Sequence, residues 1–92
     1  MTRPKIRRYL RFNPRVKYFK PRGIPLRILE EEVLEADELE AIKLHDVDGL
    51  EHLKAAEKMK VSQSTFSRIL NGAYQKIGKA LIEGKAIRIE TR

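Results

Sequence analysis

The chain has 92 residues, enough for one small domain, and no cysteine, which excludes a disulfide framework, a thiolate metal site and a thiol nucleophile. Its net charge is +7, from 20 Lys and Arg against 13 Asp and Glu. No apolar run approaches the roughly 18 residues of a membrane span, and Met1-Thr2-Arg3-Pro4-Lys5 leads into Arg7-Arg8 rather than an apolar stretch. Neither a membrane association nor a signal peptide is expected, and the chain reads as cytoplasmic.

Charge is segregated along the chain. Residues 1–27 carry ten basic and no acidic residues, residues 28–57 two basic and eleven acidic, and residues 58–92 eight basic and two acidic. The blocks stand at +10, −9 and +6, a pattern that suggests a polyanion partner for the two basic blocks; the alternative is a charge-rich surface serving solubility.

The first 27 residues form a basic arm interrupted by Pro4, Pro14, Pro21 and Pro25. Within it, Ile6–Phe12 is rich in branched and aromatic residues and reads as a short strand, while Tyr18–Pro25 reads as a loop because its prolines remove donors. Leu26, Leu29, Val33 and Leu34 place Leu26–Glu35 in a short helix, although Val33-Leu34 is also compatible with an extended segment. A leading helix follows over 37–46, with Leu39, Ala41, Ile42 and Leu44 as its apolar stripe and Asp37, Glu38 and Glu40 near its start. Asp48-Gly49 marks its end.

A twenty-residue window from His52 to Asn71 has the layout of a helix-turn-helix, with helices expected over 51–59 and 63–82. Ala55 and Ala56 are small enough for two helices to cross closely. Met59 and Val61 bracket the turn, and Phe66 and Ile69 face back into the core. Ser62 occupies an N-cap position. Lys60 stands where such a turn favours glycine, because the backbone there has positive φ; a non-glycine residue costs on the order of 1 kcal/mol. The second helix continues through Leu70, Tyr74, Ile77, Leu81 and Ile82 to Gly84. Beyond it, 85–90 alternates like a strand. The expected architecture is therefore mainly α: a helix-turn-helix bundle of three to four helices with a small β ribbon from the N- and C-terminal segments, all in one domain.

The outward face of the second helix carries the functional reading. Gln63, Ser64, Ser67 and Arg68 are the candidates for DNA base contacts, and no carboxylate intervenes before Glu83. Lys58, Lys60, Ser62, Thr65 and Asn71 are the candidates for phosphate contacts. The arm residues Arg7, Arg8, Arg11, Arg15, Lys17, Lys20 and Arg22 have two readings: they lie along phosphates or in a minor groove, or the Ile6–Phe12 strand pairs with Ala86–Glu90 and orients them.

Several runs carry a family resemblance. Lys20-Pro21-Arg22-Gly23-Ile24-Pro25-Leu26, Asp37-Glu38-Leu39-Glu40-Ala41, Ala55-Ala56-Glu57-Lys58-Met59, Val61-Ser62, Thr65-Phe66, Arg68-Ile69-Leu70 and Gly84-Lys85-Ala86 resemble an archaeal and bacterial family known as domain of unknown function 134. The resemblance spans nearly the whole chain and implies DNA binding without naming a pathway. Residues 37–82 also resemble the promoter-reading region four of sigma-70 factors, where a leading helix precedes a helix-turn-helix. Many members of the family have cysteine in the basic arm; here the stretch reads Ile6-Arg7-Arg8-Tyr9, so no thiol or metal role is carried over, and Lys60 replaces the family's usual glycine.

Other constellations point elsewhere. His45, Asp46, Asp48 and His52 have the chemistry of metal ligands, but Asp46-Val47-Asp48-Gly49 reads as a helix-ending turn and the histidines as ordinary surface groups. Tyr9, Phe12, Tyr18 and Phe19 among basic residues resemble stacking platforms for single strands, with packing as the plainer fate. No nucleophile-and-base set and no glycine-rich phosphate loop is present, so no catalysis and no cofactor are expected. Double-stranded DNA is the expected partner and a sequence-specific transcriptional regulator the expected role. A homodimer is expected because one recognition helix reads few bases. The acidic segment 30–40 is a surface for a protein partner or for the protein's own basic arm. The alternative role is a protein–protein adaptor on a helix-turn-helix scaffold beside the transcription machinery.

Overall fold

A computed structural model describes residues 14–91. The elements run β1 (Tyr18–Phe19), a 3-10 turn (Leu26–Ile28), β2 (Glu31–Leu34), α1 (Ala36–Ile42), α2 (His52–Met59), α3 (Gln63–Glu83) and β3 (Ala86–Ile89). The chain is mainly helical, with a small sheet drawn from its two ends.

α1 starts at a reciprocal capping box. The Glu35 side chain accepts from the backbone of Glu38, and Glu38 Oε1 accepts from the Glu35 amide at 3.0 Å. The helix widens into one π-helical turn over Lys43–Val47, closed by the Asp48 amide donating to the Lys43 carbonyl at 2.8 Å. Gly49, at φ 80°, then reverses the chain. The expected leading helix 37–46 is thus an α-helix followed by a π turn.

α2 ends in a Schellman arrangement. Lys60 adopts φ 62° and ψ 42°, the Lys60 amide donates to the Glu57 carbonyl, and the Val61 amide donates to the Ala56 carbonyl at 3.1 Å. Val61 packs on the core, which completes the motif. Ser62 caps α3: its Oγ accepts from the Thr65 amide at 3.1 Å. α3 has 21 residues, about 31 Å of helix, and ends at Gly84 with φ 71°.

The core lies where α1, α2 and α3 meet. Ala41, Leu44, Ala55, Ala56, Met59, Phe66 and Leu70 are buried there, with Ile42, Leu50, Val61 and Ile69 packed around them. Ala55 and Ala56 retain almost no exposure, so α2 and α3 approach closely. Further along α3, Ala73 and Ala80 are the buried residues, and Leu34, Ala86 and Ile89 are buried on the strands. Leu81 and Ile82 are left 73% and 86% exposed.

The sheet has the order β1-β3-β2. β1 pairs antiparallel with β3 (Tyr18 opposite Arg88, Phe19 opposite Ile87), and β2 pairs parallel with it, from Glu31 opposite Ala86 to Leu34 opposite Ile89. The whole helical unit is the crossover that a parallel pair requires.

Two expectations are corrected. Leu26–Glu35 is not a short helix: only Leu26–Ile28 forms a 3-10 turn, and Glu31–Leu34 is a strand. The apolar spacing fits both periods over so few residues, and pairing with β3 decides between them. Leu26, expected on the apolar stripe of that helix, is exposed. Tyr18–Pro25 is not wholly a loop, because Tyr18-Phe19 forms β1. The expected strand at Ile6–Phe12 lies outside the described residues; the strand expected over 85–90 is found at Ala86–Ile89 and takes β1 and β2 as neighbours.

Candidate nucleic-acid interface

The tight turn at Lys60–Ser62 presents the first three turns of α3 at the surface. Gln63, Ser64, Ser67, Arg68 and Asn71 line one shallow concavity there. The five side chains chosen from helical periodicity therefore share a face. Gly72 and Gln75 line the same concavity and were missed; Gln75 follows Asn71 by four residues, the spacing that would have found it. Gly72 sits beside α1, where an added Cβ would lie 3.4 Å from Glu38 Oε2.

The hydroxyl groups at the start of α3 are not equivalent. Ser62 Oγ donates to Thr65 Oγ1 at 2.9 Å while accepting the Thr65 amide, and it lies 3.3 Å from Ser64 Oγ. Its own proton is engaged, so Thr65 is the better placed of the two to donate to an anion. Lys58 and Lys60 are exposed beside this turn. Ser67 is half-buried, with Oγ 3.0 Å from His52 Nδ1.

Ion pairing separates the cations into two groups. Lys76 Nζ donates to the Val33 carbonyl at 2.6 Å and to Glu38 Oε1 at 2.8 Å. Lys85 lies within 3.2–3.7 Å of Glu32, Glu83 and Glu30. Arg88 pairs with Glu31 at 3.1 Å and with Glu90. The hydrogen bond from Tyr18 and then that from Arg88 hold the Glu31 carboxyl below its ordinary range; the same contact with Glu31 raises Tyr18. Hydrogen bonds to Glu32 and Glu83 raise Lys85. Among the described residues, Lys60 and Arg68 make no ion pair. The acidic segment 30–40 is therefore engaged largely within the fold: Glu31, Glu32 and Glu38 face the protein's own cations, Glu35 caps α1, and Glu40 is buried.

Arg15, Lys17, Lys20 and Arg22 flank β1 and are exposed. Lys20 Nζ donates to the neighbouring Pro21 carbonyl at 2.9 Å, and the Lys17 carbonyl accepts from the Ile89 amide at 2.9 Å. Among the described residues, no hydrogen bond or ion pair ties these four to the α3 face. Arg7, Arg8 and Arg11 lie outside the described residues, as do Tyr9 and Phe12. Tyr18 donates to Glu31 Oε2 at 2.7 Å, and Phe19 is exposed.

The histidines are not the ordinary surface groups expected. Both are half-buried, with ring centroids 4.7 Å apart in an edge-to-face arrangement, and His52 also meets Phe66 edge-on at 5.4 Å. Nothing in the sequence signals this, because the partners come from three separate helical segments. Among the described residues, no group of three or more His, Cys, Asp or Glu side chains could hold a metal ion. Tyr74, later on α3, donates to Asp46 Oδ2 at 2.6 Å; burial, followed by this bond, pushes its pKa up to about 12. No described helix is long and apolar enough to cross a membrane.

A family model described as a protein of unknown function, DUF134, matches residues 1–91. A UPF0251 protein of Caldanaerobacter subterraneus subsp. tengcongensis is 56% identical over 90 residues, covering 98% of this chain and 76% of its own length. A UPF0251 protein of Thermoanaerobacter pseudethanolicus is 52% identical with the same coverage. One from Dehalococcoides mccartyi is 48% identical, covering 98% of this chain and 77% of its own. No solved structure matches the chain.

Proposed function

The chain belongs to the DUF134 family, and from that premise we propose that it binds double-stranded DNA with α3 in the major groove, as a sequence-specific transcriptional regulator of the cytoplasm. The observation that carries this reading is the face of α3: polar side chains and one unpaired arginine share a concavity with no carboxylate among its lining residues. A helix that is merely solvated usually mixes glutamate with lysine on such a face. The α1–α2–turn–α3 order is also what the likeness of residues 37–82 to sigma-70 region four would require.

In this reading Gln63, Ser64, Ser67 and Arg68 face base edges, with Asn71 and Gln75 farther along the groove wall. Thr65, Lys58, Lys60 and the amide end of α3 face phosphates. A two-fold homodimer would supply a second half-site. The test is a gel shift with random duplex DNA over a salt series, followed by selection from a pool. Binding that falls steeply with salt, together with an enriched motif, is the expected result. Arg68→Ala should weaken specific binding by about 1–3 kcal/mol and relax the motif at one position; unchanged affinity and preference would remove Arg68 from the interface.

The arm is best tested without deleting β1. Replacing Arg7, Arg8 and Arg11 with glutamine leaves Tyr18-Phe19 in the sheet, and an unchanged salt slope would show that these three do not touch DNA. The exposed Leu81 and Ile82 favour a second reading, a protein adaptor that docks through the far end of α3. Absence of salt-dependent duplex binding would favour it.

A further inference from the structure

Ser67 differs from its neighbours on the α3 face because its hydroxyl is held by a side chain of another helix, His52 of α2, whereas Ser64 Oγ meets only the Ser62 hydroxyl that caps α3 itself. A serine hydroxyl has one proton and two lone pairs, so the direction of that proton sets what the oxygen offers to a third group. Among the described residues, His52 Nδ1, at 3.0 Å, is the only protein acceptor recorded within reach of the Ser67 proton. His52 is itself fixed, edge-on to Phe66 on α3 and to His45 on the turn after α1. His45 is anchored in turn: its Nδ1 lies 2.7 Å from the Leu50 carbonyl. A carbonyl can only accept, so His45 Nδ1 carries a proton and donates.

We propose that His52 is a positioning residue that sets the hydrogen-bond polarity of Ser67, so that Ser67 donates inward to His52 Nδ1 and presents only lone pairs to the groove. This rests on the duplex-binding reading above. An accepting oxygen in the major groove selects a base with an exocyclic amino group, adenine or cytosine, over guanine or thymine, whose edges at that level offer acceptors. The contact that reads the base is thus decided by a residue of α2 that does not touch DNA.

Two measurements on the full chain test this. The first is nitrogen-15 NMR of the His52 ring in the free protein: an unprotonated Nδ1 with a protonated Nε2 is expected, and the reverse tautomer overturns the proposal whether or not any variant folds. The second is selection from a random duplex pool with the wild type, Ser67→Ala, His52→Ala, His52→Asn and the Ser67→Ala/His52→Ala double variant, with melting curves to show that each is folded. The wild type should prefer adenine or cytosine at one position, and Ser67→Ala should lose that preference. His52→Ala should reduce it about fivefold, the worth of one net hydrogen bond, and should have no further effect in the Ser67→Ala background. His52→Asn, whose amide oxygen can accept near the place of Nδ1, should restore it. Duplex binding with a Ser67-dependent preference that His52→Ala leaves intact overturns the role of His52 and spares the parent reading. Absence of salt-dependent duplex binding in the wild type overturns both.

Discussion

Lys60→Gly should make this protein more stable. Lys60 is the one described non-glycine residue with positive φ, at φ 62° and ψ 42°. For a residue with a Cβ that conformation costs roughly 1–2 kcal/mol. Glycine removes this strain but adds backbone freedom to the unfolded chain, which offsets about 0.4–1 kcal/mol. The two bonds that close the turn, Lys60 amide to Glu57 carbonyl and Val61 amide to Ala56 carbonyl, are both main-chain and survive the change. The net gain is therefore about 0.5–1 kcal/mol, a rise in Tm on the order of 2–8 °C for a domain of this size. Urea titration and thermal melting of Lys60→Gly and Lys60→Ala side by side give the answer. Alanine removes the same charge but keeps the Cβ, so it should gain nothing. Equal gains in both variants would assign the effect to relief of charge beside Lys58 rather than to the backbone, and no gain in Lys60→Gly would refute the strain argument. If Lys60 meets a phosphate, both variants should also lower the slope of log affinity against log salt by about 0.9.

Other consequences follow from the packing. Phe66 is fully buried at the meeting point of the three helices, and Phe66→Ala should cost about 3–5 kcal/mol in urea unfolding, a large share of the whole stability. Lys76→Met should cost about 1–2 kcal/mol, because it removes a donor from the Val33 carbonyl and the counter-charge from the largely covered Glu38 carboxylate, which keeps the Glu35 amide; an unchanged denaturant midpoint would mean that water replaces the ammonium freely. Tyr74, with a folded pKa of about 12 against an ordinary value of 10.0, favours the neutral phenol in the folded state. Its contribution is fully present below pH 10 and is lost as pH rises through about 12, where the unfolded chain gains by deprotonating first. Tyr74→Phe should flatten that alkaline loss in melting curves, and the highest-pH step in phenolate absorbance should disappear with it.

Much of the helical unit was legible because its signals are local. Ser62 as a cap, Lys60 as a strained turn residue, Gly84 as a stop and the alanine pair at 55–56 each act within a few residues, and the helices begin and end within a residue or so of where those signals put them. The polar face of α3 was legible for the same reason, since helical periodicity alone brings Gln63, Ser64, Ser67, Arg68 and Asn71 together. Gln75 obeys the same period and was within reach of it.

The tertiary structure decided whatever depends on partners distant in sequence. Glu31–Leu34 carries a pattern that suits a helix or a strand, and it becomes a strand because β3, some fifty residues later, supplies a ladder. The charge blocks announced segregation but not its use: the fold sets Lys76, Lys85 and Arg88 against the acidic segment, which leaves Arg68 and Lys60 without ion pairs among the described residues. His52 beside Ser67 is the clearest case. Fifteen residues separate them, and no local rule joins the two. The short-range preferences of the chain determined its helices, its turns and the face of α3. Burial and long-range pairing, whose energies are settled only when distant segments meet, determined the sheet and which polar groups that face has left to offer.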